Sequence, residues 1–184
     1  LINFKIAMDY RAHLLLPLSK RYIDQLALEV FIHPETFASI YELIFDTDTT
    51  VAWRAAWACQ KISEKHPELF TDKHFNELAA FTIASSHNGI KRGCLGILNN
   101  LPLPQPIQVE LINACFDWMT STKSAIAVQA LSLKLLYKFC LTEPDLIPEL
   151  VAYLENFDSE GLSPGMLSTR RNVIKLLKNC KLKS

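Results

Sequence analysis

Three stretches of the chain carry apolar residues at the same offsets of +4, +7 and +11. They are Val51, Ala55, Ala58 and Ile62; Ile90, Cys94, Ile97 and Leu101; and Ile126, Ala130, Leu133 and Tyr137. Those offsets return to one face of a 3.6-residue helix, so each stretch predicts an amphipathic α-helix. The starts lie 39 (90 − 51) and 36 (126 − 90) residues apart, which leaves room for a second helix in every unit. That helix is visible upstream: Ile44, Ile83 and Met119 precede the starts by seven residues, and Ile40, Ala79 and Cys115 by eleven. Polar breaks at 47–50, 85–89 and 121–124 separate the two helices of each unit, and their Ser, Thr, Asp, Asn and Gly residues cap and stop helices. Proline punctuates between units, at His33-Pro34-Glu35, His66-Pro67-Glu68, Pro102 through Pro106, and Glu143-Pro144-Asp145. It suits a first turn, where no amide donor is missed, and the acid after it favours a helix N-terminus.

The pattern predicts first helices over 35–46, 71–86, 106–120 and 145–158, paired with second helices over 50–65, 89–101, 124–141 and 165–181. A further helix over 19–32, with Ser19 as its N-cap, covers the N-terminal end, and another contains Ala7 to Leu16. The fourth unit matches least, as a terminal cap does. The fold class expected is all-α: a right-handed α-α superhelix of about four helix pairs plus an N-terminal helix, one domain over 1–184, with no sheet.

Composition agrees. A chain of 184 residues that is 49% hydrophobic with only 5 Gly can bury a substantial core. No run approaches eighteen apolar residues, so no membrane span is expected. Leu14-Leu15-Leu16 is too short for a signal-peptide core, and the start at Leu1 leaves a removed leader open. Five cysteines (Cys59, Cys94, Cys115, Cys140 and Cys180) lack any C-x-x-C spacing. Cys94 and Cys115 take small apolar positions of the repeat, so free structural thiols in a reducing, cytoplasmic compartment are expected. His33 and His66 precede prolines, and His13, His74 and His87 have no second ligand at i+4. No H-E-x-x-H, P-loop, G-x-G-x-x-G or G-x-S-x-G motif occurs. Neither a metal nor a cofactor is called for, and no catalytic residue can be assigned.

The formal net charge of zero hides two layers. The second helices and tail carry thirteen basic residues against one acid, Glu64; the first helices and their turns carry fifteen acids against Lys73 and Lys123. One reading is a basic face that attracts an acidic ligand. The other is the helix dipole, which favours lysines at C-terminal ends such as Lys61, Lys65, Lys134 and Lys138. Arg54, Lys91, Arg92, Arg170 and Arg171 lie early in their helices, the wrong end for that explanation.

Trp53 and Trp57 fall about 200° and 240° round the helix from Val51, opposite its apolar stripe. An arginine among aromatic rings on an exposed helix face is a common recognition surface. Packing is the alternative, with Trp57 lying over the small Gly96 of the next unit. Trp118, beside Asp117, reads as an inter-unit packing residue.

The segments Val51-Ala-Trp-Arg-Ala-Ala-Trp-Ala and Ile90-Lys-Arg-Gly-Cys-Leu-Gly-Ile resemble the second helix of HEAT repeats, in which a β-branched residue and an arginine precede small residues. The resemblance covers about residues 35–141, and Val128-Gln129 in the third copy breaks the Asp-to-Arg ladder, so a HEAT-like or armadillo-type label fits better than a strict one. It implies that second helices line the concave side. It also implies a non-catalytic interaction or scaffold module, binding an acidic protein or peptide through Trp53, Arg54, Trp57, Lys61, Lys91, Arg92, Arg170 and Arg171. The alternative is a nucleic-acid-binding relative of the HEAT-like DNA alkylation-repair glycosylases, whose catalytic acid has only Glu64 as a candidate here. A likeness to the adenylosuccinate-lyase group fails, since 85–90 lacks the Met-Pro and Lys of that group's signature loop. No membrane partner is expected, and the oligomeric state is not legible.

Overall fold

The computed structural model describes residues 9–17, 19–156 and 164–181, and the side chains of 178–181 are not part of that description. The predicted helix residues 7 and 8, the end of the 145–158 segment, and the side chains of Cys180, Lys178 and Lys181 lie outside the described residues.

Ten α-helices and four 3₁₀ turns follow one another, with no strand among the described residues. Helix α1 (Tyr10–Leu15) and α2 (Lys20–Ile32) come first; then the pairs α3 (Phe37–Glu42) with α4 (Thr49–Ser63), α5 (Asp72–Ala84) with α6 (Asn88–Asn100), α7 (Val109–Thr120) with α8 (Ile126–Thr142), and α9 (Ile147–Asn156) with α10 (Pro164–Lys181). Ser19 and Asp48 cap α2 and α4 as expected, whereas His87 caps α6 and α8 starts after Ala125 with no side-chain cap, so the 121–124 break does not cap α8. Ser19 Oγ accepts from the Tyr22 amide at 3.3 Å, and Asp48 accepts from the Thr50 amide at 2.7 Å. Pro34, Pro67 and Pro144 each open a 3₁₀ turn directly after a second-layer helix, using the fixed φ of proline where no amide is missed.

The second helices stack in succession, α2 on α4, α4 on α6, α6 on α8 and α8 on α10, while contacts among the first helices are sparser. Small residues allow the close approach. A Cβ added to Gly93 would stand 2.6 Å from Ala56 Cβ, so the α4 and α6 backbones meet more closely than any side-chain-bearing pair allows. Polar side chains stitch the layer: Asn100 Nδ2 donates to Ser63 Oγ at 2.9 Å, and Asn99 Nδ2 to the Leu131 carbonyl at 3.1 Å. The core lies between the layers and includes Ile40, Ile44, Val51, Ala55, Ile62, Leu78, Ala79, Leu95 and Ile97.

Two register expectations need correction. In α8, Ile126 is 54% exposed, while Val128, Ser132, Leu135 and Phe139 are buried. The +4, +7, +11 stripe therefore starts at Val128, and the interval from Ile90 becomes 128 − 90 = 38 residues. Helix α8 is apolar nearly all round, so its composition does not single out a face. Ile83, expected inside, is 38% exposed; the neighbouring Thr82 is buried instead and satisfies its hydroxyl by donating to the Leu78 carbonyl at 2.6 Å.

Cys59, Cys94, Cys115 and Cys140 are buried, and none of them is in a disulfide. Burial raises the thiols of Cys59 and Cys115, and pushes that of Cys94 up to about 12, which keeps them protonated and chemically inert. Among the described residues no group of three or more His, Cys, Asp or Glu side chains gathers at metal-binding distance. No described helix is long and apolar enough to cross a membrane.

Candidate interaction groove

Helices α4 and α6 run side by side with unequal side chains along one edge. On α4, Trp53, Trp57 and Gln60 follow one another at helical spacing; on α6, Gly89 and Gly93 stand opposite and offer no side chain. The result is a groove of about 550 Å³ with indole rings along one wall, and with Arg92 and His87 at its edge. The two indoles are parallel within 16°, their centroids 6.3 Å apart. Both are partly buried against the core. Such rings are held by packing yet offer apolar area to solvent at low entropic cost. Arg92 is exposed and has no ionic or hydrogen-bond partner among the described residues. His87 is committed locally, its Nδ1 accepting from the Ile90 amide at 3.3 Å as the N-cap of α6.

The expected packing of Trp57 over Gly96 does not occur. Gln60 covers Gly96, its Cδ only 2.5 Å from where a Cβ would stand, and Trp57 stacks on Trp53 instead. Trp118 meets its expectation as an inter-unit residue, with Lys91 Nζ 4.5 Å from its ring centroid.

The structure separates the other expected site residues from this groove. Arg54 turns toward α1, where Nη1 donates to the carbonyls of Leu14 at 2.6 Å and Leu16 at 2.9 Å; its guanidinium also lies 5.4 Å from the Trp53 centroid. It acts as a C-terminal cap for a neighbouring helix, satisfying carbonyls that a helix end leaves open. Lys138 does the same for α6, donating to the carbonyls of Leu98, Asn99 and Leu101, while burial lowers its amine to about 8. The dipole explanation thus applies to these two cations, but across helices rather than within one. Lys91 leans on Trp118, and that burial lowers its amine too. Lys61 is held by Glu64 at 2.6 Å. That pair belongs to another groove, between α2 and α4, in which the Phe31 ring packs against His66 at 5.0 Å. Arg170 and Arg171 sit on α10, two helices beyond α6, a lateral distance of about 16–20 Å at ordinary helix spacing. The groove therefore unites Trp53, Trp57 and Arg92 alone among the eight. Sequence reasoning missed Gln60 on the indole wall, His87 at the edge and the glycines of the opposite wall; the signal was a side-chain-free Gly89/Gly93 face opposite two tryptophans.

The family model for the HEAT repeat domain matches residues 10–177, nearly the whole described solenoid. The chain belongs to the HEAT repeat family. No curated protein and no solved structure matches it. As an α-α solenoid of HEAT type, it has the architecture of a protein-interaction scaffold. Glu64, the acid on which the glycosylase alternative depends, is tied to Lys61 and does not line the tryptophan groove.

Proposed function

We propose that this HEAT repeat chain is a non-catalytic interaction module that holds an acidic protein or peptide segment in the α4–α6 groove. The observation that carries the reading is the pairing of two parallel, half-exposed indoles with Arg92, a cation that nothing inside the described structure neutralises. A carboxylate reaching Arg92 gains a charge-assisted, bidentate contact, while neighbouring apolar atoms cover the indoles. The tighter packing of the second-helix layer supports its lying on the inner side of the solenoid, because the inner arc of a curved stack is the shorter one. Buried thiols that form no disulfide among the described residues favour a reducing compartment such as the cytoplasm.

The test is a titration of parent and Arg92→Glu with an acidic peptide and with duplex DNA at two salt concentrations. The acidic peptide should bind the parent, more weakly at high salt, and lose about tenfold or more in affinity to Arg92→Glu. Equal binding by the two proteins overturns the reading. DNA binding accompanied by base release from alkylated DNA would replace it with the glycosylase relative.

A further inference from the structure

On the opposite layer, α3 and α5 face each other across a gap bridged by aromatic rings. Helix α3 is short, with 3₁₀ turns at both ends. Phe37, Tyr41 and Phe45 project from this segment at i, i+4 and i+8 and meet Phe70, His74 and Phe81. Tyr41 lies 4.5 Å from His74, and Phe45 lies 4.9 Å from Phe81, both edge to face. Above the rings the gap stays open as a groove of about 650 Å³. Phe45 is 37% exposed on its floor.

Each wall of this groove offers an acid about one turn from a ring: Glu42 before Phe45 on α3, and Glu77 before Phe81 on α5. Glu77 accepts from the Tyr41 hydroxyl at 3.1 Å, which fixes its carboxylate over the gap. Lys73 also lines the groove, but it is 82% exposed and reaches Glu77 only at 3.6 Å, a loose surface pair that an incoming cation can displace. Glu42 is exposed and has no partner among the described residues. Elsewhere this chain sets its own cations against aromatic rings, placing Arg54 by Trp53 and Lys91 over Trp118. Between α3 and α5, among the described residues, no cation lies over the Phe45 or Phe81 ring, and the single lysine of the lining leaves Glu42 unpaired.

We propose that the α3–α5 groove is a second docking surface, which receives an arginine side chain from a partner protein. A guanidinium is planar and carries five donors, so it can lie on the Phe45 and Phe81 rings and still reach both Glu42 and Glu77. An ammonium is a compact, strongly hydrated charge and exploits the ring faces less well. The surplus of acids across the first-helix layer adds a field that favours the approach of a basic segment. The surface differs in layer and in charge from the tryptophan groove, and the two occupants do not compete.

The experiment is an NMR titration of the chain with the blocked peptide Gly-Gly-Arg-Gly-Gly and with counterparts carrying lysine or citrulline at the centre. Shifts should concentrate on α3 and α5, and affinity should fall at least about fivefold for lysine and be lost for the neutral citrulline. Glu42→Gln, an exposed change that leaves the fold alone, should weaken the arginine peptide about fivefold. Phe45→Ala should do likewise, its fold checked by circular dichroism. Citrulline binding as well as arginine, shifts centred on the Trp53 and Trp57 indoles, no binding of the arginine peptide, or an unchanged affinity in Glu42→Gln would each overturn the proposal.

Discussion

Gly93 and Gly96 lie one turn apart on α6, both facing α4, and alanine at the two positions should act with opposite sign. Alanine in a helix interior gains about 1 kcal/mol over glycine from propensity alone. At Gly93 the new Cβ would meet Ala56 Cβ at 2.6 Å and the Ala56 carbonyl carbon at 3.0 Å, against about 3.5–4.0 Å for ordinary carbon contacts. Neither atom can rotate aside, so the helices must separate by nearly 1 Å, and overpacking of this kind costs about 1–3 kcal/mol. Contact with backbone sets the cost at the upper end, for a net loss of about 1–2 kcal/mol and a Tm lower by roughly 2–8 °C. At Gly96 the nearest atoms are Cδ, Cγ and Nε2 of Gln60, the far end of a flexible side chain that can swing toward solvent. There the propensity gain dominates, and Tm should stay level or rise by up to about 4 °C. Thermal unfolding followed by circular dichroism reads both. Ala56→Gly combined with Gly93→Ala should be at least about 1 kcal/mol less damaging than the two single changes summed. A stabilised Gly93→Ala, or strict additivity in that double variant, would refute the close backbone approach of α4 and α6.

Replacing Arg54 with Met removes the donor to the Leu14 and Leu16 carbonyls, which should cost about 1–3 kcal/mol and speed amide exchange across 10–16 while α6 stays protected; unchanged exchange there would contradict a structural role. His74 Nδ1 accepts from the Thr71 amide at 2.9 Å within a capping box, and burial lowers its pKa below the ordinary 6.5. The unfolded chain therefore takes up the proton first, so this contribution is complete above pH 6.5 and fades as pH falls through the lower folded value. His74→Gln, which keeps an acceptor at that position, should flatten the part of the pH–stability curve between those two values, and a curve of unchanged slope would refute the assignment. Native protein should leave Cys59, Cys94, Cys115 and Cys140 unreactive toward a thiol reagent and release all four on denaturation; fast native reaction at any of them would contradict their burial.

The helices were legible because their borders carry local chemistry. Ser19, Asp48 and the prolines at 34, 67 and 144 mark ends by their own hydrogen-bonding and φ preferences, independent of tertiary context. Faces were legible only where polar residues outline them. In α4, Thr50, Arg54, Gln60 and Lys61 frame the Val51 stripe, and it is buried; in α8 the polar residues are too few, and the pattern from Ile126 starts two residues before the buried stripe. The site was half legible. Helical angle put Trp53, Trp57 and Arg92 on the open face, but angle says nothing about reach. Arg54 and Lys138 have side chains long enough to cap the neighbouring helix, and that choice depends on where α1 and α6 end in space. The uneven groove wall likewise arises from two helices at once, which no single-helix pattern displays.

The account rests on the claim that Trp53 and Trp57 flank a ligand site governed by Arg92. The most direct measurement is the indole N–H spectrum of isotopically labelled protein during titration with an acidic peptide, run on the parent and on Arg92→Glu. The account predicts that the Trp53 and Trp57 signals shift together and saturably in the parent, that the Trp118 signal stays in place, and that the shifts vanish in Arg92→Glu. Saturable binding that leaves Trp53 and Trp57 unmoved, or that moves them equally in the variant, would contradict it.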